Sequence, residues 1–223
     1  VAPDLGAPSG AVGLECPPGL PGAHGLVGNA PSLLVQPLPA GHHTPRIEGD
    51  GVVRKVPALV CFQGRPYAAL ALAALARAAS GDKAAAGEAP SWVLHTATSG
   101  GPRFPGSLMP AQWLASPALP GVVVPLDEHG DMRVPYGRKR EALLSISAAD
   151  VLAGRADAQM LRGAIALVGA TAFGIGDTVA TPLSPVSGGV EVHAQLLAGL
   201  LDDRLVHSPV EARQWQLAMA ALM

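Results

Sequence analysis

Aromatic side chains make up only 4% of the 223 residues, and charged ones only 14%. With so few rings, the 49% that is hydrophobic must build its core from Ala, Val and Leu. Basic and acidic residues number 15 and 17, for a net charge of -2, with no block of like sign. That argues against a nucleic-acid partner, because neutralising a phosphate backbone asks for a clustered basic face. The single basic knot, Gly137 to Glu141, reads as a solvated loop. Two cysteines, Cys16 and Cys61, are too few for a disulfide framework and lack the spacing of zinc ligands. No apolar run reaches the roughly 20 residues that span a bilayer. The most apolar helical stretch, Tyr67 to Ala79, is too short and carries Arg77. Nucleotide fingerprints are missing as well. Gly169 and Gly174 have phosphate-loop spacing, but Ile175 and Gly176 stand where Lys and Ser or Thr are required. Asp177 follows too soon to be the ribose-binding acid of a dinucleotide fold. No cofactor is expected.

What the chain does have is a definite plan between Gly163 and Leu201. Ala164 to Val168 is a short uncharged apolar run, suited to a strand buried on both faces. Gly169, Gly174 and Gly176, then Asp177, Pro182 and Pro185, predict a constrained irregular loop leaving the sheet. After Gly188 and Gly189, apolar residues from Val190 to Leu201 recur mostly at intervals of three and four, as an amphipathic helix requires.

The remainder reads as follows. Residues 1–30 are Gly/Pro-rich and lack periodicity, so they are expected to be a partly irregular segment. Ser32 to Pro37 is a short strand candidate. The "GDG" at Gly49 to Gly51 marks a tight turn into a strand from Val52 to Phe62, with Pro57 at an edge or bulge. Ala68 to Ala79 is a helix rich in Ala and Leu. Lys83 to Pro120 is hard to read beyond a strand at Trp92 to Ala97. Gly121 to Leu126 and Met132 to Tyr136 are expected to pair as a hairpin across "DEHGD". Ser147 caps a short helix closed by Gly154, and a second short turn occupies Asp157 to Arg162. Strand, helix and hairpin in this order give a mixed α/β (α+β) fold, a central mixed sheet covered by helices.

Three kinds of chemistry can be written from the polar residues. A metal site could be assembled from His42, His43, Asp177, Glu191 and His193. However, Glu191 and His193 are two apart, which on a helix turns them about 200° from one another, so no metal is expected. A helix capped by Gly188 instead puts Glu191 third, where its carboxylate meets free amides and the positive end of the helix dipole. His193 is then a half-buried residue hydrogen-bonded to the Asp177 loop. Ser184 and Ser187 near His193 and Asp177 would permit a hydrolase triad, although no G-x-S-x-G elbow is present. Asp177, Thr178 and Thr181 also offer donors and acceptors for the rim of a small-molecule pocket.

The stretch "ALVGATAFGIGDTVATPLSPVSGGVEVHAQLLAGLL" resembles the closing motif of the type 2 CHASE domain, an extracytoplasmic sensor module of bacterial membrane receptors. In that motif an "IG-x-T-A-x-G-x-x-D" turn precedes "T-P" and "G-V-E-x-H-A". "AGHHTPRIEGDGVVRKVP" resembles the same family's hairpin "G-H…D-x-D-G-x-x-R-x-x-P", with Glu48 in place of the usual first aspartate. "VVVPLDEHGDMRVPYG" resembles its "I-P-L-D-x-x-G-x-x-x-x-x-Y-x-G" segment. The resemblance covers roughly Ala40 to Leu205 and implies a sensor domain over 31–207. Its motif residues, His42, Arg54, Asp177, Thr178, Thr181, Glu191 and His193, become ligand-binding or loop-fixing candidates. It also implies a small-molecule ligand, no catalysis within the domain, a periplasmic setting and a receptor whose output module is a cyclase, histidine kinase or protein kinase. A homodimer, or a structural ectodomain without ligand, is the other reading. Residues 208–223, with Trp215 and a rising apolar pattern, suggest the start of a helix leading to the membrane, and the chain reads as a piece of a longer protein. In an oxidising periplasm Cys16 and Cys61 could form one disulfide, or remain separate thiols.

Overall fold

Turn chemistry sets the first reversals. Asp50 and Gly51 turn β1 (Arg46–Ile47) back into β2 (Val53–Pro57). Gly51 takes the left-handed backbone at φ 79°, and its N–H donates to the Glu48 carbonyl. The computed structural model describes residues 16–27, 40–80, 92–96, 109–117, 119–170 and 177–222. The strand expected at 32–37, and Gly174 and Gly176, lie outside them. Pro57 ends β2, and the single strand expected through Phe62 breaks at Ala58 before β3 (Leu59–Phe62). Gln63 and Gly64, at φ 50° and 75°, make a two-residue hairpin into β4 (Arg65–Ala68), which the sequence reading lacked. Helix α1 (Leu70–Ser80) follows, close to its expected place.

β5 (Val93–Thr96), β6 (Gln112–Ala115) and β7 (Val123–Leu126) form a second antiparallel sheet. The hairpin expected between 121–126 and 132–136 is not made. β8 (Asp131–Arg133) crosses to pair with β2, so the Asp127–Gly130 turn joins two different sheets. Helices α2 (Ala148–Leu152) and α3 (Ala158–Leu161) are capped by the side chains of Ser147 and Asp157, and neither buries a residue. The latter half of the expected irregular loop is regular: β9 (Thr178–Thr181) and β10 (Ser184–Gly188) form a hairpin. Helix α4 (Gly189–Leu201) starts at its expected cap, Gly188, and α5 (Ala212–Leu222) ends the described chain.

The mixed α+β class holds, with the described ladders distributed over four small antiparallel sheets. The core joins them. Val53 and Val56 of β2, Leu114, Val124, Leu126 and Met132 pack with Leu72 of α1 and Leu196 of α4. Each fully buried Leu or Val contributes about 1.5–3 kcal/mol. Val192, Leu196 and Leu200 are four apart, with His193 and Leu197 beside them, so the buried stripe of α4 includes a histidine.

Ala164–Val168 is a correction. It belongs to no helix or sheet, with only Ile165 and Leu167 half-buried and Val168 90% exposed. β2 already has neighbours on both edges and β3 pairs with β4, so the run finds no ladder partner there. An apolar run favours burial but does not specify a partner strand.

Candidate functional site

The motif residues gather into two groups, and a cavity forms a third place of interest. The first group is a corner at the start of α4. Gly41 has no room for a side chain against Ala73 and Leu70, so the chain lies on α1. There the His42 N–H donates to the Ala68 carbonyl at 2.9 Å, and the Leu70 N–H donates to the His42 carbonyl at 2.8 Å. His42 is thereby held facing His193. Both of its ring nitrogens are buried, as is Nδ1 of His193, and the Pro57 backbone beside the His42 ring favours its protonated form only weakly.

Burial, then the neighbouring His193 and His43, push the His42 pKa down to about 3. Burial likewise lowers His193, partly offset by a hydrogen bond with the His43 backbone and by the Asp177 charge. His193 is therefore fully buried, and held by His43 where the sequence reading expected the Asp177 loop. Asp177 itself is half exposed, with Oδ2 3.6 Å from Nδ1 of His43. Its carbonyl accepts from the Gly189 N–H at 2.7 Å. Its carboxylate occupies the space that a side chain at 189 would need, so the "G-G-V" start of α4 lets Asp177 rest on the helix end. Glu191 sits in the first turn of that helix. Among the described residues no group of three or more His, Cys, Asp or Glu could hold a metal ion.

The threonines take different places. Thr178 is exposed on β9. Thr181 is buried, with Oγ1 bonded to the Ser184 backbone and the Ser187 hydroxyl. Its polar atom thus secures the hairpin. Ser184 Oγ donates to the Val186 carbonyl, so both serines of the conceivable triad are engaged within the hairpin.

Arg54 belongs to the second group. Its guanidinium donates to Glu48 Oε2 at 2.6 Å and to both Asp50 oxygens at 3.0 and 2.7 Å. Hydrogen bonding to Asp50, then to Glu48, raises its pKa. Glu48, at the position of the motif's usual first aspartate, thus holds Arg54, and the motif arginine is committed to its own turn. On the same sheet Arg46 makes a two-pronged bond to buried Asp131, and Lys55 binds Asp127 at 2.9 Å. Burial pushes Asp127 up, but Lys55 and two backbone amides hold it below the usual carboxylate value. Cys16 and Cys61 are joined as a disulfide with Cα atoms 5.9 Å apart.

The cavity lies where no candidate was placed. It is an open cleft of about 540 Å³ between residues 134–138, the C-terminal half of α4, and the segment that follows it. Gln195, buried on α4, holds one wall by accepting from the Arg138 N–H at 3.4 Å and donating to its carbonyl at 2.5 Å. Gly199 lets Pro135 pack directly on the helix. Past Leu201 the chain reverses through Asp203 at φ 53°. The Arg204 N–H then bonds the Gly199 carbonyl at 2.9 Å, closing the helix end and bringing Arg204 and Val206 to line the cavity. Beyond it, the Val210 N–H donates to the Met109 carbonyl and Pro209 bridges to Pro110, fixing the base of α5. The signal in the sequence was Gly199: a glycine inside a helix costs about 1 kcal/mol and implies a close neighbour.

No curated protein and no solved structure matches the chain. The family model described as CHASE2 domain matches residues 21–223. CHASE2 domains are extracytoplasmic sensory modules of signalling receptors, and no helix among the described residues is long and apolar enough to cross a membrane. With nearly its whole length matched, the chain belongs to the CHASE2 domain family.

Proposed function

We propose that this chain is the periplasmic ligand-sensing domain of a transmembrane signal-transduction receptor. Its output module, a cyclase, histidine kinase or protein kinase, lies elsewhere in the parent protein. The observation that carries this reading is the cavity of about 540 Å³ whose outer wall, Asp202 to Val206, is the segment joining α4 to α5. A molecule seated there touches the segment that leads to the last helix. It biases the position of α5 only by as much as it prefers one arrangement, about 1–3 kcal/mol for typical coupling. The domain itself performs no chemistry. The buried, lowered His193 has no serine bonded to it, since Ser184 and Ser187 are engaged within their own hairpin.

A thermal-shift screen of small metabolites tests this, because a ligand that binds the native state raises its stability by mass action. At least one compound is expected to raise Tm in the wild-type chain and to lose its effect in Ala198→Phe, which fills the cavity. A screen whose hits all persist in Ala198→Phe removes the cavity from the account.

A second reading, a dimerising ectodomain, is favoured by α2, α3 and the run beyond them. These bury nothing of their own helices and leave Leu144, Val151, Leu152, Met160 and Val168 exposed. Light scattering is expected to give a dimer mass that Leu152→Glu reduces to that of a monomer. A monomer at every concentration removes this reading.

A further inference from the structure

The polar groups around the cavity are unequally committed. Gln195 spends its amide on the Arg138 backbone, and the Tyr136 hydroxyl donates to the Val53 carbonyl at 2.7 Å. Arg138 forms an ion pair with Asp202. Arg204, on the opposite lip, has no carboxylate partner among the described residues, while its backbone is fixed by the bond to Gly199. Among the charged side chains lining the cavity, the exposed Arg204 guanidinium is thus the one with no opposite charge beside it among the described residues. The rest of the lining is apolar, from Val134, Pro135, Ala198 and Val206.

The geometry points to a small organic monocarboxylate with a hydrocarbon or aromatic body as the ligand of this cavity. The carboxylate takes the planar fork of Arg204, whose paired N–H groups match its two oxygens. The body lies against Pro135, Ala198 and Val206, removing their surface from water. Charge count selects this class over phosphates. A phosphate monoester brings about -1.5 to -2 charges, which a single free guanidinium does not balance. The inference rests on the reading of the cavity as the sensory pocket and adds the chemistry of its occupant.

Calorimetric titration of the whole chain with phenylacetate, phenylacetamide and inorganic phosphate tests it. Phenylacetate is expected to bind about tenfold or more tightly than its neutral amide, the margin of a charge-assisted hydrogen bond, with phosphate weaker than both. Arg204→Gln is expected to erase the difference between acid and amide, whereas Arg162→Gln, outside the cavity, leaves it unchanged. Equal binding of acid and amide, tighter binding of phosphate, or an acid preference that survives Arg204→Gln overturns the inference. Absence of phenylacetate binding overturns it too. A neutral or cationic metabolite whose effect disappears in Ala198→Phe also overturns the carboxylate assignment, yet it leaves the sensory pocket standing. If Ala198→Phe changes the response to no compound of any charge, the pocket reading itself fails.

Discussion

The Pro135 ring packs against the α-carbon of Gly199, in the space where any other residue would carry its side chain. Proline cannot rotate away, so this contact fixes how closely the 134–138 segment approaches α4. Gly199→Ala gains up to about 1 kcal/mol of helix propensity and meets an overpacking cost of about 1–3 kcal/mol. A net loss of about 1 kcal/mol is expected in urea unfolding, with weaker ligand-induced thermal shifts. A gain of about 1 kcal/mol would mean that Pro135 does not bear on the helix.

His42 makes stability depend on acidity. Its folded pKa, pushed down to about 3, lies below the ordinary histidine value of 6.5. Above pH 6.5 neither folded nor unfolded chain protonates it. As pH falls from 6.5 toward 3, the unfolded chain takes up a proton that the folded one refuses, and stability is lost at about 1.4 kcal/mol per pH unit. His193, shifted in the same direction, adds to the slope. Between pH 7.5 and pH 5 the loss from His42 is about 2 kcal/mol. His42→Leu is expected to flatten that part of the profile, and an equally steep profile in the variant would place the acid sensitivity elsewhere.

The Cys16–Cys61 bond ties the first described segment to β3 across a separation of 45 residues. Beside it, the Cys61 N–H donates to the Pro21 carbonyl and the Ala23 N–H to that of Cys61. Closing a loop of this length constrains the unfolded chain by about 4 kcal/mol in the chain-entropy treatment, of which about 2–4 kcal/mol is commonly realised. Cys16→Ser with Cys61→Ser is expected to lower unfolding stability by that amount. Wild type and double variant with equal stability would show that the bond contributes nothing.

Local chemistry was legible in the sequence, and pairing was not. The Gly188 cap, the heptad-like stripe of α4, the Ser147 cap and the Asp50–Gly51 turn each depend on neighbours within a few residues, and all stand where expected. Ala164–Val168 and the partner of β8 depend on which distant edge is free, information that a short apolar run does not contain. The motif residues led to the His42–His193–Asp177 corner because family patterns mark it. They did not lead to the cavity, whose walls join residues some 60 positions apart that are ordinary one by one. Arg138 looked like part of a solvated basic knot; only the fold sets it against Asp202.

Amide hydrogen exchange, with and without the compound that most raises Tm, tests the sensory account most directly. The account predicts slowed exchange at residues 134–138 and 199–206, together with changed exchange at 209–212, where the base of α5 is pinned. Protection confined to 177–181 and 189–193, with residues 199–212 unaltered, would contradict it.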